Sequence, residues 1–140
     1  MAFVLLYGNV GNGKTHLGVG VLWELNQRFG IRGALWHELD IVQRYRATND
    51  PNRAVEAEAD VDNYFTRIPL LMIDDLGVSR PTDYVAEKLY WLVNTRYVNE
   101  SPTIITTNVE VKEERIFSRL IDSQSTLAIR FDGRDYRQKG

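Results

Sequence analysis

The amino-acid sequence predicts an α/β layered fold built on a parallel sheet, and three observations carry that prediction. Apolar, β-branched stretches alternate along the chain with longer segments of helical periodicity. One such stretch, Pro69-Leu70-Leu71-Met72-Ile73-Asp74-Asp75-Leu76-Gly77, is a continuous apolar run closed by two carboxylates, the pattern of a strand buried on both faces. The segment Gly8 to Thr15, GNVGNGKT, fits GxxxxGK[ST]; an apolar run, Phe3 to Tyr7, precedes it and a helical pattern follows, which is the strand, loop and helix setting this phosphate-binding motif requires.

The first strand, Phe3 to Tyr7, feeds the loop. Glycines there let the backbone wrap around phosphate oxygens, where N–H groups and a helix N-terminus favour negative charge. Gly8, Asn9, Val10, Gly11, Asn12, Gly13, Lys14, Thr15 and His16 are the candidate nucleotide contacts. Lys14 is placed to reach the β- and γ-phosphates of ATP, and the Thr15 hydroxyl to hold Mg²⁺. The helix after the loop carries Leu17, Val21, Leu22 and Leu25 on one face and stops at Gly30. Gly18 and Gly20 weaken an isolated helix but allow close packing on a sheet. Arg32 to Leu39 reads as the second strand, with Asp40 as N-cap of a helix over Ile41 to Ala47.

From Thr48 to Thr66 the pattern loosens around the turn residues Asn49 to Asn52. The acidic stretch Glu56 to Asp62 reads as helical, solvated on one side and without chemistry. After the acidic-ended strand comes a long helix from Pro81 or Thr82 to Tyr97, with Val85, Leu89, Leu92, Val93 and Arg96 at helical spacing. Its aromatics, Tyr84, Tyr90, Trp91 and Tyr97, read as packing groups rather than base-stacking ones. Thr103 to Thr107 is a β-branched strand ending at Asn108, Lys112 to Ile121 a short helix, Thr126 to Phe131 the last strand, and Asp132 to Gly140 a polar tail.

Composition narrows the function classes. A chain of 140 residues fits one domain and buries roughly two-thirds of its unfolded surface. The formal charge of −2, from 17 basic and 19 acidic residues, gives no global polyanion signature, so any nucleic-acid contact must be local. Absence of cysteine excludes disulfides and thiolate metal sites, and two histidines far apart in sequence make a poor zinc case. No apolar run approaches the roughly 20 residues that span a bilayer, and no basic region precedes the N-terminal apolar stretch. A soluble cytoplasmic protein is expected. Because the chain begins directly on the strand feeding the loop, it is also expected to be a fragment of a longer protein.

Asp74 and Asp75 fall where a buried strand ends, and in open parallel sheets ligands bind beyond the carboxyl ends of the strands. Adjacent carboxylates are costly to desolvate unless they share a cation. Mg²⁺ at Thr15 supplies one, leaving Asp74 for the metal and Asp75 to orient or deprotonate an attacking water. The alternative is a helix cap or a solvated pair. Asn108 is either a γ-phosphate or water contact, or a turn residue. Arg115 and Arg119 lie four apart behind Glu113 and Glu114; spacing alone favours helix-surface ion pairing, which stabilises by a few tenths of a kcal/mol.

With these segments in hand, the chain resembles the AAA+ ATPases of the DnaC/DnaI helicase-loader and IstB transposition-helper group. The resemblance rests on GNVGNGKTHL at the loop, LLMIDDLG at the acidic strand, TIITTN at residues 103–108 and ERIFSRL at residues 114–120, and covers nearly the whole chain. It implies an AAA+ type P-loop NTPase with a five-stranded parallel sheet of order 5-1-4-3-2, helices on both faces and no C-terminal lid domain. It also implies an ATP site completed by a neighbouring subunit. By the resemblance, Lys14 and Thr15 are the Walker A pair, Asp74 the Walker B magnesium residue, Asp75 the catalytic acid and Asn108 sensor 1. Arg119 is similar to an arginine finger offered in trans, with Arg115 as companion, and Tyr136 and Arg137 look like the loaders' closing motif, the Arg as a sensor 2 substitute. Position 75 is Asp where many AAA+ enzymes carry Glu, a choice common in this group. Partners implied are single-stranded DNA, further copies in a ring or filament, and a replicative helicase docked through an N-terminal region outside this chain. The DNA contacts fall on Arg44, Arg46, Arg53 and Tyr45, for which a solvated basic helix face is the plainer reading. A transposition helper, a scaffold that binds ATP without hydrolysing it, and a self-contained P-loop kinase are the rival functions.

Overall fold

The computed structural model describes residues 2–8, 11, 13–52, 57–77, 82–108, 120 and 124–132. Its elements in chain order are β1 (Phe3–Gly8), α1 (Lys14–Phe29), β2 (Gly33–His37), α2 (Glu38–Thr48), α3 (Glu58–Arg67), β3 (Leu70–Asp74), α4 (Asp83–Val98), β4 (Thr103–Thr107) and β5 (Thr126–Phe131). The five strands form one sheet in the order β2-β3-β4-β1-β5, all pairings parallel. This is the order the resemblance implied, and β4 and β5 have the predicted bounds. Among the described residues no helix is long and apolar enough to cross a membrane.

Alternation along the strands divides the core in two. Phe3, Leu5, Leu71, Ile73 and Ile105 point to one face and pack under α2, α3 and α4. Leu6, Leu70, Met72 and Ile104 point to the other, where Leu22 and Leu25 of α1 meet them. β3 and β4 are buried at every position, as expected for central strands covered on both sides.

Several local expectations need correction. Gly18 does allow close approach, since a Cβ there would lie 2.5 Å from the Met72 methyl carbon, but Gly20 faces open space. Leu17 and Val21 are correspondingly exposed: the helix rests on the sheet through Gly18, so the buried face is centred there. Gly30 ends α1 with φ 65°, as predicted, its N–H donating to Asn26 O. The second strand stops at His37, which is the N-cap of α2 in place of Asp40. The reason is the buried stripe Glu38, Ile41, Val42 and Tyr45, whose helical period starts one turn earlier than the apolar residues alone suggest. In α3 the acidic stretch supplies only the first half; Val61 and Phe65 carry the helix to Arg67. The α4 stripe Val85, Leu89, Leu92, Val93 and Arg96 is buried as predicted.

Arg96 is fully buried, and among the described residues its hydrogen-bond acceptors are neutral oxygens. Its Nε donates to Thr103 Oγ1 at 2.8 Å, Nη2 to Pro102 O at 2.8 Å, and Nη1 to Phe65 O at 2.8 Å, Ile68 O at 3.0 Å and Thr66 O at 3.3 Å. One guanidinium therefore joins the end of α3, the entry to β3, the entry to β4 and α4. Burial pushes its pKa down to about 10, so it is charged at neutral pH. Arg96→Met should strand these acceptors and cost at least about 3 kcal/mol in urea unfolding, since each buried unpaired acceptor costs about 1–3 kcal/mol. Arg96→Lys should recover only part of that, because an ammonium cannot fork to five acceptors; full recovery would deny the fork its role.

A second polar cluster fastens α2, α3 and α4 together. Lys88 Nζ lies 2.9 Å from Glu58 and 2.8 Å from Asp62, Tyr45 donates to Asp62 at 2.7 Å, and Tyr84 donates to Glu58. The acidic stretch thus has a structural task that the sequence did not disclose. Hydrogen bonds from Tyr84 and Lys88 hold the Glu58 carboxyl below its usual value of 4.5. A carboxyl lowered in the folded state stabilises above pH 4.5 and loses that contribution as pH falls through its folded value. The stability difference between wild type and Glu58→Gln should therefore be constant from pH 6 to 8 and shrink below about pH 4 in urea titrations.

Candidate nucleotide site

Parallel pairing places every strand's carboxyl end on one rim of the sheet, and the registers specify which residues meet there. Gly8 lies opposite Phe131, Tyr7 opposite Thr107 and His37 opposite Asp74. This rim is where an open parallel sheet binds ligands.

Gly8 leaves β1 with φ 131°, and a Cβ there would lie 2.1 Å from Phe131 O. Only glycine lets the chain turn against β5 at that point. Gly11 and Gly13 also have positive φ, at 75° and 90°. Gly13 caps α1 without a side chain, and the first turn holds no acidic residue, so the positive end of the helix dipole keeps its preference for an anion. Lys14 is 5% exposed and its ammonium donates to Gly8 O at 3.3 Å, across the mouth of the loop. His16 is exposed on the first turn of α1.

Asp74 is 2% exposed. Its Oδ1 accepts from Thr15 Oγ1 at 2.8 Å and from Thr106 Oγ1 at 2.5 Å, and His37 Nδ1 lies 3.2 Å from Oδ2. Oxygens bound cis on a Mg²⁺ at about 2.0–2.1 Å are about 2.9 Å apart, so the Thr15–Asp74 pair fits that ion. Asp75 follows with φ 56°, a left-handed conformation uncommon for a non-glycine residue. Thr106 and Thr107 hold it: Thr106 Oγ1 accepts from the Asp75 N–H at 3.0 Å, Thr106 O from the Leu76 N–H at 2.9 Å, and Thr107 Oγ1 donates to Leu76 O at 2.7 Å. Asn108, half-buried, follows directly at the end of β4.

The structure thus gathers Gly8, Lys14, Thr15, Asp74, Asp75 and Asn108 on one rim. Asn9, Val10, Asn12, Arg53, Arg115, Arg119, Tyr136, Arg137 and most of the expected helix at 112–121 lie outside the described residues. Two rim residues were missed, His37 and Thr106. The repeated threonines before Asn108 were a signal for the second, while nothing local marked the first. Among the expected DNA contacts, Tyr45 needs correction: it is fully buried and hydrogen-bonded to Asp62, so it cannot stack on a base. Arg44 lies with its Cζ 4.3 Å above the Tyr64 ring and 5.4 Å from that of Trp36, and Arg46 is exposed.

Residues 1–129 match the family described as IstB-like ATP binding protein. The chain belongs to that family. The IstB-like chain is similar to the DnaC helicase loader, with a TM-score of 0.73 and 27% identity, over 91% of this chain and 77% of that one. A DnaA replication initiator bound to AMPPCP and single-stranded DNA shares the fold at a TM-score of 0.72 and 22% identity, over 93% of this chain and 40% of the other. In sequence, the chromosomal replication initiator protein DnaA of Ralstonia nicotianae is 33% identical over 135 residues, 24% of its length. The uncharacterized protein YqaM of Bacillus subtilis is 27% identical over 115 residues, 35% of its length. The IstB-like chain therefore spans about a third or less of these sequence relatives, and its fold is that of the AAA+ P-loop proteins.

Gly8→Ala should force β1 and β5 apart. A lowered melting temperature together with at least tenfold weaker binding of a fluorescent ATP analogue is expected; unchanged affinity would mean that the loop shape does not depend on this contact.

Proposed function

We propose that this chain is the ATP-binding and ATP-hydrolysing AAA+ domain of a DNA replication helicase loader that self-associates in a ring or filament on single-stranded DNA. The observation that carries the reading is the meeting of Thr15 and Asp74, 59 positions apart in sequence, at 2.8 Å beside Lys14. Likeness to the DnaC helicase loader over most of that chain supports the loader assignment.

In this reading Lys14 exchanges its carbonyl contact for β- and γ-phosphate oxygens of ATP, while Thr15 and Asp74 hold Mg²⁺. Mg²⁺ held by these two residues would supply positive charge against the phosphates. Asp75 orients the attacking water and takes its proton, its position dictated by the left-handed turn that Thr106 restrains. Asn108 donates to the γ-phosphate, and Arg137 closes over the nucleotide. Arg119, with Arg115 beside it, completes the site of a neighbouring subunit. Single-stranded DNA runs past Arg44 and Arg46, with Trp36 and Tyr64 as the aromatic surface beside them. The replicative helicase is engaged through a region outside these residues. The family match favours a transposition helper as the second reading, with the same site and a different partner.

ATP turnover per subunit, measured over a wide range of protein concentration with and without single-stranded DNA, tests the proposal. Turnover should rise with concentration and fall in Lys14→Ala, Asp75→Asn and Arg119→Ala, the last by about 10³-fold or more, since an arginine finger supplies about 10³ to 10⁵ in rate. Mixing Asp75→Asn with Arg119→Ala should restore part of it. Concentration-independent turnover that survives Arg119→Ala would sink the shared-site mechanism.

A further inference from the structure

The two oxygens of Asp74 face different surroundings. Oδ1 is taken by the hydroxyls of Thr15 and Thr106, whereas Oδ2 faces the imidazole of His37 at the end of the neighbouring strand. His37, Asp74 and Asp75 each offer a ligand atom within 4.8 Å of the others, and His16 joins no such group among the described residues. We infer that His37, Asp74 and Asp75 form a second cation site on the Oδ2 side of Asp74, selective for a first-row transition-metal ion and independent of nucleotide.

The distances suit such an ion. Two ligands bound at about 2.0–2.2 Å with tetrahedral or octahedral angles are about 3.0–3.5 Å apart, and His37 Nδ1 lies 3.2 Å from Asp74 Oδ2. The same gap can thus be bridged by a proton or by a metal ion. The half-exposed Asp75 carboxylate offers its oxygen within 4.8 Å of both. Asp74 is held rigid by its two hydroxyl donors, while the His37 side chain is 53% exposed, so an ion reaches the site from solvent. Selectivity follows from the donor set. Mg²⁺ prefers oxygen ligands and retains its water, whereas an imidazole beside carboxylates suits Co²⁺, Ni²⁺ or Zn²⁺. The site differs from the one proposed for Mg²⁺, which would use Thr15 and Asp74 Oδ1. Sequence spacing pointed away from a histidine metal site because it weighed the two histidines against each other; the partner of His37 is an aspartate brought beside it by the β2–β3 register.

Zn²⁺ titration of the whole chain without nucleotide, followed by imidazole NMR, is the test. With two histidines in the chain, the ring signals divide cleanly between His16 and His37. The His37 ring should be shifted strongly at Zn²⁺ concentrations that leave His16 little changed, and Mg²⁺ in tenfold excess should not displace the ion. His37→Gln and Asp75→Asn should each weaken Zn²⁺ binding at least tenfold, and His16→Gln should leave it unaltered. Equal response of both rings, displacement by Mg²⁺, or wild-type affinity in a folded His37→Gln would each overturn the inference. Should His37→Gln melt below wild type, the ring shifts of the wild-type chain alone decide.

Discussion

A carboxylate at 2% exposure on the end of a fully buried strand must be solvated by the protein itself, and the rim of the sheet is arranged to do so. Asp74 draws a hydroxyl from α1, a hydroxyl from β4 and an imidazole from β2. Each donor belongs to a different element, so the charge of Asp74 sets the relative position of three neighbours of β3. Because Thr106 also accepts from the Asp75 N–H, the strand that supplies this solvation also shapes the turn after it. Placement of Lys14, Thr15 and Asp75 depends on that arrangement.

The opposite end of the sheet shows the complementary solution. There the buried charge is the guanidinium of Arg96, and its acceptors are backbone carbonyls and one threonine at the entries to β3 and β4. An anion is held by hydroxyls where the strands end, and a cation by carbonyls where they begin. Among the described residues, neither charge is paired in an ion pair with a side chain of the helices around it. Charge pairing is instead used between α3 and α4, where Lys88 joins Glu58 and Asp62 and also covers the ring of Trp91 at 4.5 Å.

What was legible in the sequence follows from this division. The acidic-ended strand and the β-branched runs at β4 and β5 are local signals, set by residue type and period within a few positions, and they survive in the structure, while the phosphate loop shows in the positive φ of Gly8, Gly11 and Gly13. The rest required registers. His37 meets Asp74 only because β2 pairs with β3 in that alignment, and Thr106 becomes a ligand of Asp74 only because β4 lies on the other side. Tyr45 reads as an exposed aromatic beside two arginines until α3 supplies Asp62 to hold its hydroxyl. Arg96 was correctly placed on the buried stripe of α4, but periodicity cannot name the carbonyls that stabilise a buried guanidinium.

The position of β1 in the sheet bears on how the chain acquires its shape. Phe3 pairs with Thr103 on one side and with Thr126 on the other, so β1 is flanked by the two strands farthest from it in this sequence. β2, β3 and β4 lie in sequential order beside one another and can assemble with shorter loop closures. Placing the strand that carries Gly8 between β4 and β5 requires longer-range closures than those that join β2, β3 and β4. The segment that cradles phosphate is thereby tied to completion of the sheet: a chain still lacking residues 126–131 has no second neighbour for β1, and no Phe131 carbonyl against which Gly8 can turn.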